Sequence, residues 1–240
     1  MPYVRLLRPH QWVKNVFVLA GIVFGQKASD PLAWRVALLG LICVCLVSSA
    51  IYVFNDIRDR DEDRRHPRKC KRPIAAGEVS VPTAGFIALV AAAVGLAGAW
   101  LLGPGFFLVV AVYAVLQVTY SLGLKHAALL DVIAIALGFV LRAVAGAVLV
   151  HVSISVWLVL CTFTVCLFMG FGKRRCEVLA MESNGEHEAA SHRRTLALYT
   201  PTLLNHMTTV SAGIAVISYM LYATDHETIT KFGTNYLAYT

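Results

Sequence analysis

The stretch that decides the fold is AWRVALLGLICVCLVSSAIYVFNDIRDRDEDRRHPRKCKRPIAAG, residues 33–77. Its first half, residues 33–54, is long enough and apolar enough to cross a bilayer as a helix. Its second half, residues 55–77, carries five acidic and eight Lys or Arg side chains. This abrupt change predicts a membrane-spanning helix that ends at a membrane boundary.

The rest of the chain repeats the apolar pattern. Of its 240 residues, 58% are hydrophobic and only 15% are charged, which excludes an ordinary soluble domain. We therefore predict an all-α integral membrane protein, with residues 1–240 forming one membrane-embedded domain. About seven spans are expected, at residues 12–29, 33–54, 82–102, 105–122, 129–150, 154–172 and 201–224.

The distribution of positive charge predicts the orientation of these spans. Most of the 21 Lys and Arg residues fall on one side if the N-terminus is cytoplasmic, as the positive-inside rule requires. Two long charged loops, residues 55–80 and 173–200, then share the cytoplasmic face. A multi-pass protein of the inner (plasma) membrane is the expected result.

The acidic residues of the first loop are spaced for a common helical face. If the helix continues past residue 54, Asp56, Asp59 and Asp63 lie within roughly 60° of one another. With Asn55, they offer the oxygen ligands that Mg²⁺ prefers. Lys69 and Arg72 follow at once and could hold a diphosphate. The alternative is a solvated loop whose mixed charges only keep helix ends in water.

The second loop begins with the cations Lys173, Arg174 and Arg175, followed by Glu177. We interpret this cluster as an anion site that faces the acidic residues of the first loop. The alternative is a positive-inside anchor that includes an Arg174–Glu177 pair along a helix.

Two ionisable residues belong to the fifth predicted span. Arg142 lies near the middle of an apolar stretch, where an ionised side chain costs about 2.5–3.5 kcal/mol on insertion scales. Asp131 falls on roughly the same face but about 16 Å away along the helix axis. We expect both to line one polar chamber, with structural pairing to other partners as the alternative.

Three further residues are candidates for anion binding or substrate contact at the same boundary. Tyr120 and Lys125 end the fourth span, and Lys14 lies near the start of the first. Either lysine could instead be an ordinary snorkelling side chain.

Several motifs in order resemble one known family. NDIRDRDED, residues 55–63, matches the NDxxDxxxD signature of the UbiA superfamily of membrane prenyltransferases. The likeness is closer to the decaprenyl-phosphate phosphoribosyltransferase branch, at residues 8–15 (RPHQWVKN), 63–77, 120–125 and 141–147. It runs along nearly the whole chain.

The resemblance implies a UbiA-like helical bundle with an active chamber beneath cytoplasmic loops. It also implies Mg²⁺-dependent transfer of 5-phosphoribose from phosphoribosyl pyrophosphate to a polyprenyl (decaprenyl) phosphate, which yields a precursor of cell-wall arabinan. The catalytic, metal-holding residues would be Asp56, Asp59 and Asp63. Members that use aromatic acceptors carry a second Asp-rich motif, whereas residues 173–200 contain no Asp.

Members of the superfamily are expected to cross the bilayer about nine times, at about 20 apolar residues per crossing. Seven predicted spans are fewer than nine, so we expect either a fragment or a chain whose C-terminal spans are not included. Three rival functions are prenyl transfer to an aromatic or other acceptor, non-enzymatic carriage of a lipid phosphate, and a structural subunit. No nucleic-acid partner is expected, and the sequence leaves homo-oligomer formation open.

Overall fold

The computed structural model describes residues 1–184 and 198–233. Helices dominate these residues, and no β-strand is present among them. The α-helices are α1 (Pro2–Leu7), α2 (Ala20–Phe24), α3 (Pro31–Arg58), α4 (Arg60–Arg65), α5 (Val81–Leu102), α6 (Pro104–Leu122), α7 (Leu130–Leu149), α8 (Val156–Asn184), α9 (Pro201–Thr224) and α10 (His226–Phe232). Short 3₁₀ helices lie at Pro9–Leu19, Lys69–Lys71 and Leu124–His126.

Six helices in the described part of the chain are long and apolar enough to cross a membrane: α3, α5, α6, α7, α8 and α9. Large apolar side chains also point outward, such as Leu89 and Leu101 of α5, which are 68% and 85% exposed. Such faces are favourable in lipid and unfavourable in water. The predicted all-α, multi-pass membrane fold is confirmed.

Three of the long helices begin with a side-chain N-cap. Asp30, Ser80 and Thr200 each accept a hydrogen bond from a backbone N–H of the first turn of α3, α5 and α9. A proline occupies the first or second position of each helix, where no intrahelical N–H bond is lost. These signals fix where the helices begin.

The predicted first span, residues 12–29, is not one continuous α-helix. It consists of the 3₁₀ helix Pro9–Leu19 followed by the short helix α2. The segment packs very closely on α7, because a Cβ atom on Gly146 would lie 1.7 Å from the carbonyl oxygen of Val18. The buried side chain of Asn15 also forms polar contacts with other helices. These tertiary contacts fix the backbone where periodicity alone predicts a regular helix.

Both of the predicted charged loops contain helical segments. Residues 55–80 include the end of α3 and all of α4, and α8 continues to Asn184 through the start of the second predicted loop. The remainder of that loop, residues 185–197, and the tail, residues 234–240, lie outside the described residues.

The chain divides into two compact units. The first comprises Met1–Leu122 and Leu141–Ser153, with a core that includes Val44, Phe106 and Val110. The second comprises Gly123–Val140 and Ile154–Thr240, with a core of Val132, Phe171, Val178, Tyr199 and Leu204. Helix α7 contributes its first part to the second unit and its last part to the first.

Candidate active site

The first unit contains a buried ionic cluster at the end of α3. Asp56 and Asp63 each expose only 2% of their side chains. Nη1 of Arg72 donates to Oδ1 of Asp56 at 3.0 Å and to Oδ2 of Asp63 at 2.5 Å. Nζ of Lys69 lies 4.0 Å from Oδ1 of Asp63. The geometry therefore brings four of the predicted site residues together around two carboxylates.

Arg8 is a second guanidinium in this cluster, and it was not among the residues predicted for the site. Its Nη2 donates to Oδ1 of Asp56, and its guanidinium carbon lies 5.5 Å from the centre of the Tyr52 ring. Arg8 adopts the left-handed conformation, with φ of 52°, at the joint between α1 and the first 3₁₀ helix. The Arg-Pro pair at residues 8–9, just before an apolar segment, was the available signal.

Asp59, the middle aspartate of the predicted set Asp56, Asp59 and Asp63, has a different environment. Helix α3 ends at Arg58 and α4 begins at Arg60, so Asp59 stands between two helices. Its Oδ2 accepts a hydrogen bond from Nδ2 of Asn55 at 2.9 Å. The expectation of one uninterrupted helical face is wrong at this residue. The backbone N–H of Asp63 still bonds to the carbonyl of Asp59 at 2.8 Å, which keeps the two helices nearly continuous.

The donor set suits a divalent cation, although the carboxylates are not gathered for one. Among residues 1–184 and 198–233, no three Asp, Glu, His or Cys side chains are grouped closely enough to hold a metal. Instead, one guanidinium nitrogen satisfies the carboxylates of Asp56 and Asp63 together. The buried carboxylates of Asp56 and Asp63, which share one positive charge, are hard oxygen donors of the kind that Mg²⁺ prefers.

Arg142 forms a separate buried cluster in the first unit. Its side chain is 5% exposed, its Nε donates to Oδ1 of Asn15 at 2.8 Å, and its Nη2 donates to the Tyr113 hydroxyl at 2.8 Å. Nδ2 of Asn15 in turn donates to Oγ of Ser48 at 2.9 Å. This network joins the first 3₁₀ helix, α3, α6 and α7. Its geometry fits the alternative in which Arg142 pairs with other residues of the protein. Lys14, the neighbour of Asn15, is exposed.

Asp131 and Arg174 pair with each other in the second unit. Asp131 is fully buried, and its Oδ2 accepts from Nε of Arg174 at 2.9 Å. Nη1 of Arg174 donates to Oε2 of Glu177 at 2.6 Å. Arg174 thus contacts two carboxylates, and the Arg174–Glu177 pair is the alternative that the sequence left open. The polar chamber that Asp131 and Arg142 are expected to line stays a prediction.

Tyr199 completes this second cluster and was missed by the sequence analysis. Its hydroxyl donates to Oδ1 of Asp131 at 2.5 Å and accepts from the backbone N–H of Leu129 at 2.7 Å. Burial, and then the hydrogen bond to Asp131, raises the pKa of the Tyr199 hydroxyl, so it remains a donor at neutral pH. No motif marks a tyrosine that lies 68 residues from its acceptor.

The other predicted cations of the second unit differ in exposure. Lys125 is buried at 7% exposure in the 3₁₀ helix Leu124–His126. Lys173 is 74% exposed, with its Nζ 3.8 Å from Oε1 of Glu177. Arg175 donates through Nε to Oδ1 of Asn205 at the surface. Tyr120 of α6, in the first unit, is half-buried.

The chain is similar to known proteins over most of its length. The model of the UbiA prenyltransferase family matches residues 15–225. The chain is 37% identical over 228 residues to decaprenyl-phosphate phosphoribosyltransferase of Mycobacterium tuberculosis, covering 93% of this chain and 74% of that protein. It is 39% identical over 231 residues to the enzyme of the same name from Corynebacterium glutamicum, covering 92% and 67%.

The fold is also similar to solved structures. A UbiA homolog from Archaeoglobus fulgidus, bound to GPP and Mg²⁺, superposes with a TM-score of 0.80 over 99% of this chain and 83% of that one. Sequence identity in this comparison is 23%, so the likeness establishes the fold alone.

Proposed function

Because the chain belongs to the UbiA prenyltransferase family, we propose that it transfers 5-phosphoribose from phosphoribosyl pyrophosphate to a polyprenyl phosphate. A phosphate oxygen of the lipid forms a bond to C1 of the ribose. The bond from C1 to the pyrophosphate oxygen breaks, and pyrophosphate leaves with the electron pair. The product is a polyprenyl-phosphoryl 5-phosphoribose, suited to use as a precursor of cell-wall arabinan.

The buried cluster of Asp56, Asp63, Arg8 and Arg72 is the observation that carries this proposal. It offers carboxylate oxygens and guanidinium N–H groups at one place, which are the two kinds of group that a metal-bound diphosphate requires. The names of the two relatives in Mycobacterium and Corynebacterium support the choice of phosphoribose over a prenyl group as the unit transferred.

Each residue of the cluster then has a defined task. Asp56 and Asp63 would hold Mg²⁺, with Asn55 and Asp59 as neighbouring oxygen donors. Bound magnesium supplies positive charge that stabilises the leaving pyrophosphate. Arg72 and Arg8 bind diphosphate oxygens, and Arg72 is suited to bidentate contact. Lys69, next to Asp63, adds a further positive charge.

The nucleophile needs no protein base. A phosphate monoester carries negative charge at neutral pH, so the lipid phosphate is already able to attack C1. A single displacement through an oxocarbenium-like state gives inversion at C1. Lys125, Lys173 and Arg175 are our candidates for binding the ribose 5-phosphate or the lipid phosphate, whereas Arg174 is engaged by Asp131 and Glu177.

The direct test is an assay of the purified protein with labelled phosphoribosyl pyrophosphate, polyprenyl phosphates of several lengths, and either Mg²⁺ or a chelator. We expect pyrophosphate release and a labelled lipid only when lipid and metal are both present. Consumption of labelled prenyl diphosphate, with phosphoribosyl pyrophosphate ignored, would overturn the proposal in favour of prenyl transfer.

A matched pair of variants tests the ionic cluster. Asp56→Asn keeps the shape of the buried side chain but removes its charge, and we expect activity to fall about 100-fold because charge stabilisation of the leaving group is weakened. Asp61→Asn makes the same change at a carboxylate that is 72% exposed, and its activity should stay within about twofold. Equal transferase activity of the two variants would exclude Asp56 from the reaction.

A further inference from the structure

The loop between α6 and α7 holds a lysine in an unusual environment. Lys125 is only 7% exposed, although lysine is among the residues least often buried in proteins. The loop is short, and its 3₁₀ helix is closed by backbone bonds from His126 to Gly123 at 2.9 Å and from Ala127 to Leu124 at 3.1 Å. The backbone that carries Lys125 is therefore held in a short, hydrogen-bonded turn.

The loop ends at a strained residue. Leu129 has φ of 67°, a left-handed conformation that a leucine rarely adopts. Such a conformation persists only where surrounding contacts impose it. The backbone N–H of Leu129 donates to the Tyr199 hydroxyl at 2.7 Å, and its carbonyl oxygen accepts from the N–H of Ile133 at 2.9 Å, so Tyr199 provides one of the two backbone contacts given for this residue.

The Tyr199 hydroxyl is itself fixed on its other side. It donates to Oδ1 of Asp131, whose Oδ2 accepts from Arg174, and all three side chains are at most 5% exposed. The backbone of Tyr199 is anchored by the next residue, because Thr200 caps α9 through a bond from the N–H of Leu203 to Oγ1 at 3.2 Å. The hydroxyl thus connects the strained turn to Asp131 of α7, through it to Arg174 of α8, and to the start of α9.

We infer that Tyr199 is a positioning residue for Lys125: its hydroxyl holds the turn at Leu129 and so directs the Lys125 ammonium group toward a phosphate of the substrate. The inference rests on the proposed function, in which Lys125 binds such a phosphate. A phenylalanine would fill the same space but could neither accept from Leu129 nor donate to Asp131.

The test compares Tyr199→Phe with Tyr222→Phe, which removes the same atom from a buried tyrosine at the opposite end of α9. Two readouts are used. The first is the rate at which an amine-reactive ester labels Lys125, measured by mass spectrometry with the exposed Lys173 as internal reference. The second is the separation of KM for phosphoribosyl pyrophosphate from kcat.

In the Tyr199→Phe variant, we expect Lys125 to be labelled about tenfold faster than in the wild type, while the labelling rate of Lys173 stays unchanged. We also expect KM for phosphoribosyl pyrophosphate to rise by about tenfold, with kcat within about twofold of the wild type. Tyr222→Phe should match the wild type in both readouts. Unchanged labelling and KM in Tyr199→Phe would overturn the inference. Loss of a folded, monodisperse Tyr199→Phe protein would also overturn it, because the hydroxyl would then support the fold rather than one turn.

The two readouts separate this inference from the proposed function. If the wild type does not use phosphoribosyl pyrophosphate, the proposed function fails, whereas the ratio of Lys125 to Lys173 labelling still reports on the turn. If the wild type is active and that ratio is the same in both variants, the positioning role alone fails.

Discussion

At the scale of single residues, the positive charge of Arg72 offsets the repulsion between two buried carboxylates of the acidic motif. Two carboxylates at 2% exposure would repel each other in a poorly solvated environment unless a positive charge lay between them. The Arg72 guanidinium supplies that charge from 16 residues beyond Asp56, and Arg8 adds a second from 48 residues before it. The cluster is therefore neutralised by residues of the protein itself.

This arrangement predicts how Arg72→Ala responds to magnesium. Removing the guanidinium leaves a buried carboxylate pair, which should destabilise the protein by roughly 3–5 kcal/mol, the usual cost of removing one partner of a buried ion pair. Magnesium should then raise the unfolding temperature of Arg72→Ala more than that of the wild type, because the ion replaces the lost charge. Thermal unfolding in detergent, with and without Mg²⁺, measures both effects.

The control for this experiment is Arg68→Ala, which removes an exposed arginine from the same segment. Its unfolding temperature should respond to magnesium as the wild type does. An identical magnesium response of Arg72→Ala and Arg68→Ala would contradict the assignment of Asp56 and Asp63 as metal ligands.

At the scale of secondary-structure elements, the packing of the first 3₁₀ helix on α7 depends on one glycine. A Cβ atom on Gly146 would lie 1.7 Å from the carbonyl oxygen and 2.6 Å from the carbonyl carbon of Val18. The obstacle is backbone, so no change of rotamer can relieve it. The close approach also lies four residues from Arg142, whose bond to Asn15 ties the same two elements together.

We therefore expect Gly146→Ala to lower the free energy of unfolding by about 1–3 kcal/mol or more through overpacking. Gly213→Ala is the matched control, because a Cβ atom there meets nothing within 4 Å and alanine favours the interior of α9. Chemical denaturation in mixed micelles compares the two variants. A Gly146→Ala protein as stable as Gly213→Ala would show that the two elements can separate without cost.

At the level of these elements, local sequence patterns predict the spanning helices but not the contacts between distant residues. Hydrophobic run length located six spanning helices, because burial in lipid depends on the composition of each segment alone. The spacing of Asp56 and Asp63 placed them near each other, because it depends only on helical periodicity. The contacts of Arg8, Arg142 and Tyr199 join residues 48, 127 and 68 positions apart. Such pairings are set by tertiary packing, and no local pattern carries them.

At the scale of the whole molecule, the burial of polar side chains depends on their hydrogen bonds. Within the described residues, no buried side-chain nitrogen or oxygen lacks a hydrogen-bond partner. The outward faces are apolar, as with Leu89 and Leu101, whereas buried charges such as Asp56 and Asp131 are grouped with cations. This distribution is the one that a lipid solvent imposes, because an unpaired polar group in hydrocarbon costs several kcal/mol.

The distribution of charge along the chain predicts which side of the membrane carries the candidate active site. If the positive-inside rule applies, Cys70 in the basic segment after α4 is cytoplasmic, and the turn before α3 faces outward. A membrane-impermeant maleimide added to intact cells should leave Cys70 unmodified and should label it after permeabilisation. Ser29→Cys, an exposed position in the outward turn, should be labelled in intact cells. The reverse pattern would place the acidic motif outside the cell, away from cytoplasmic phosphoribosyl pyrophosphate, and would contradict both the orientation and the proposed donor.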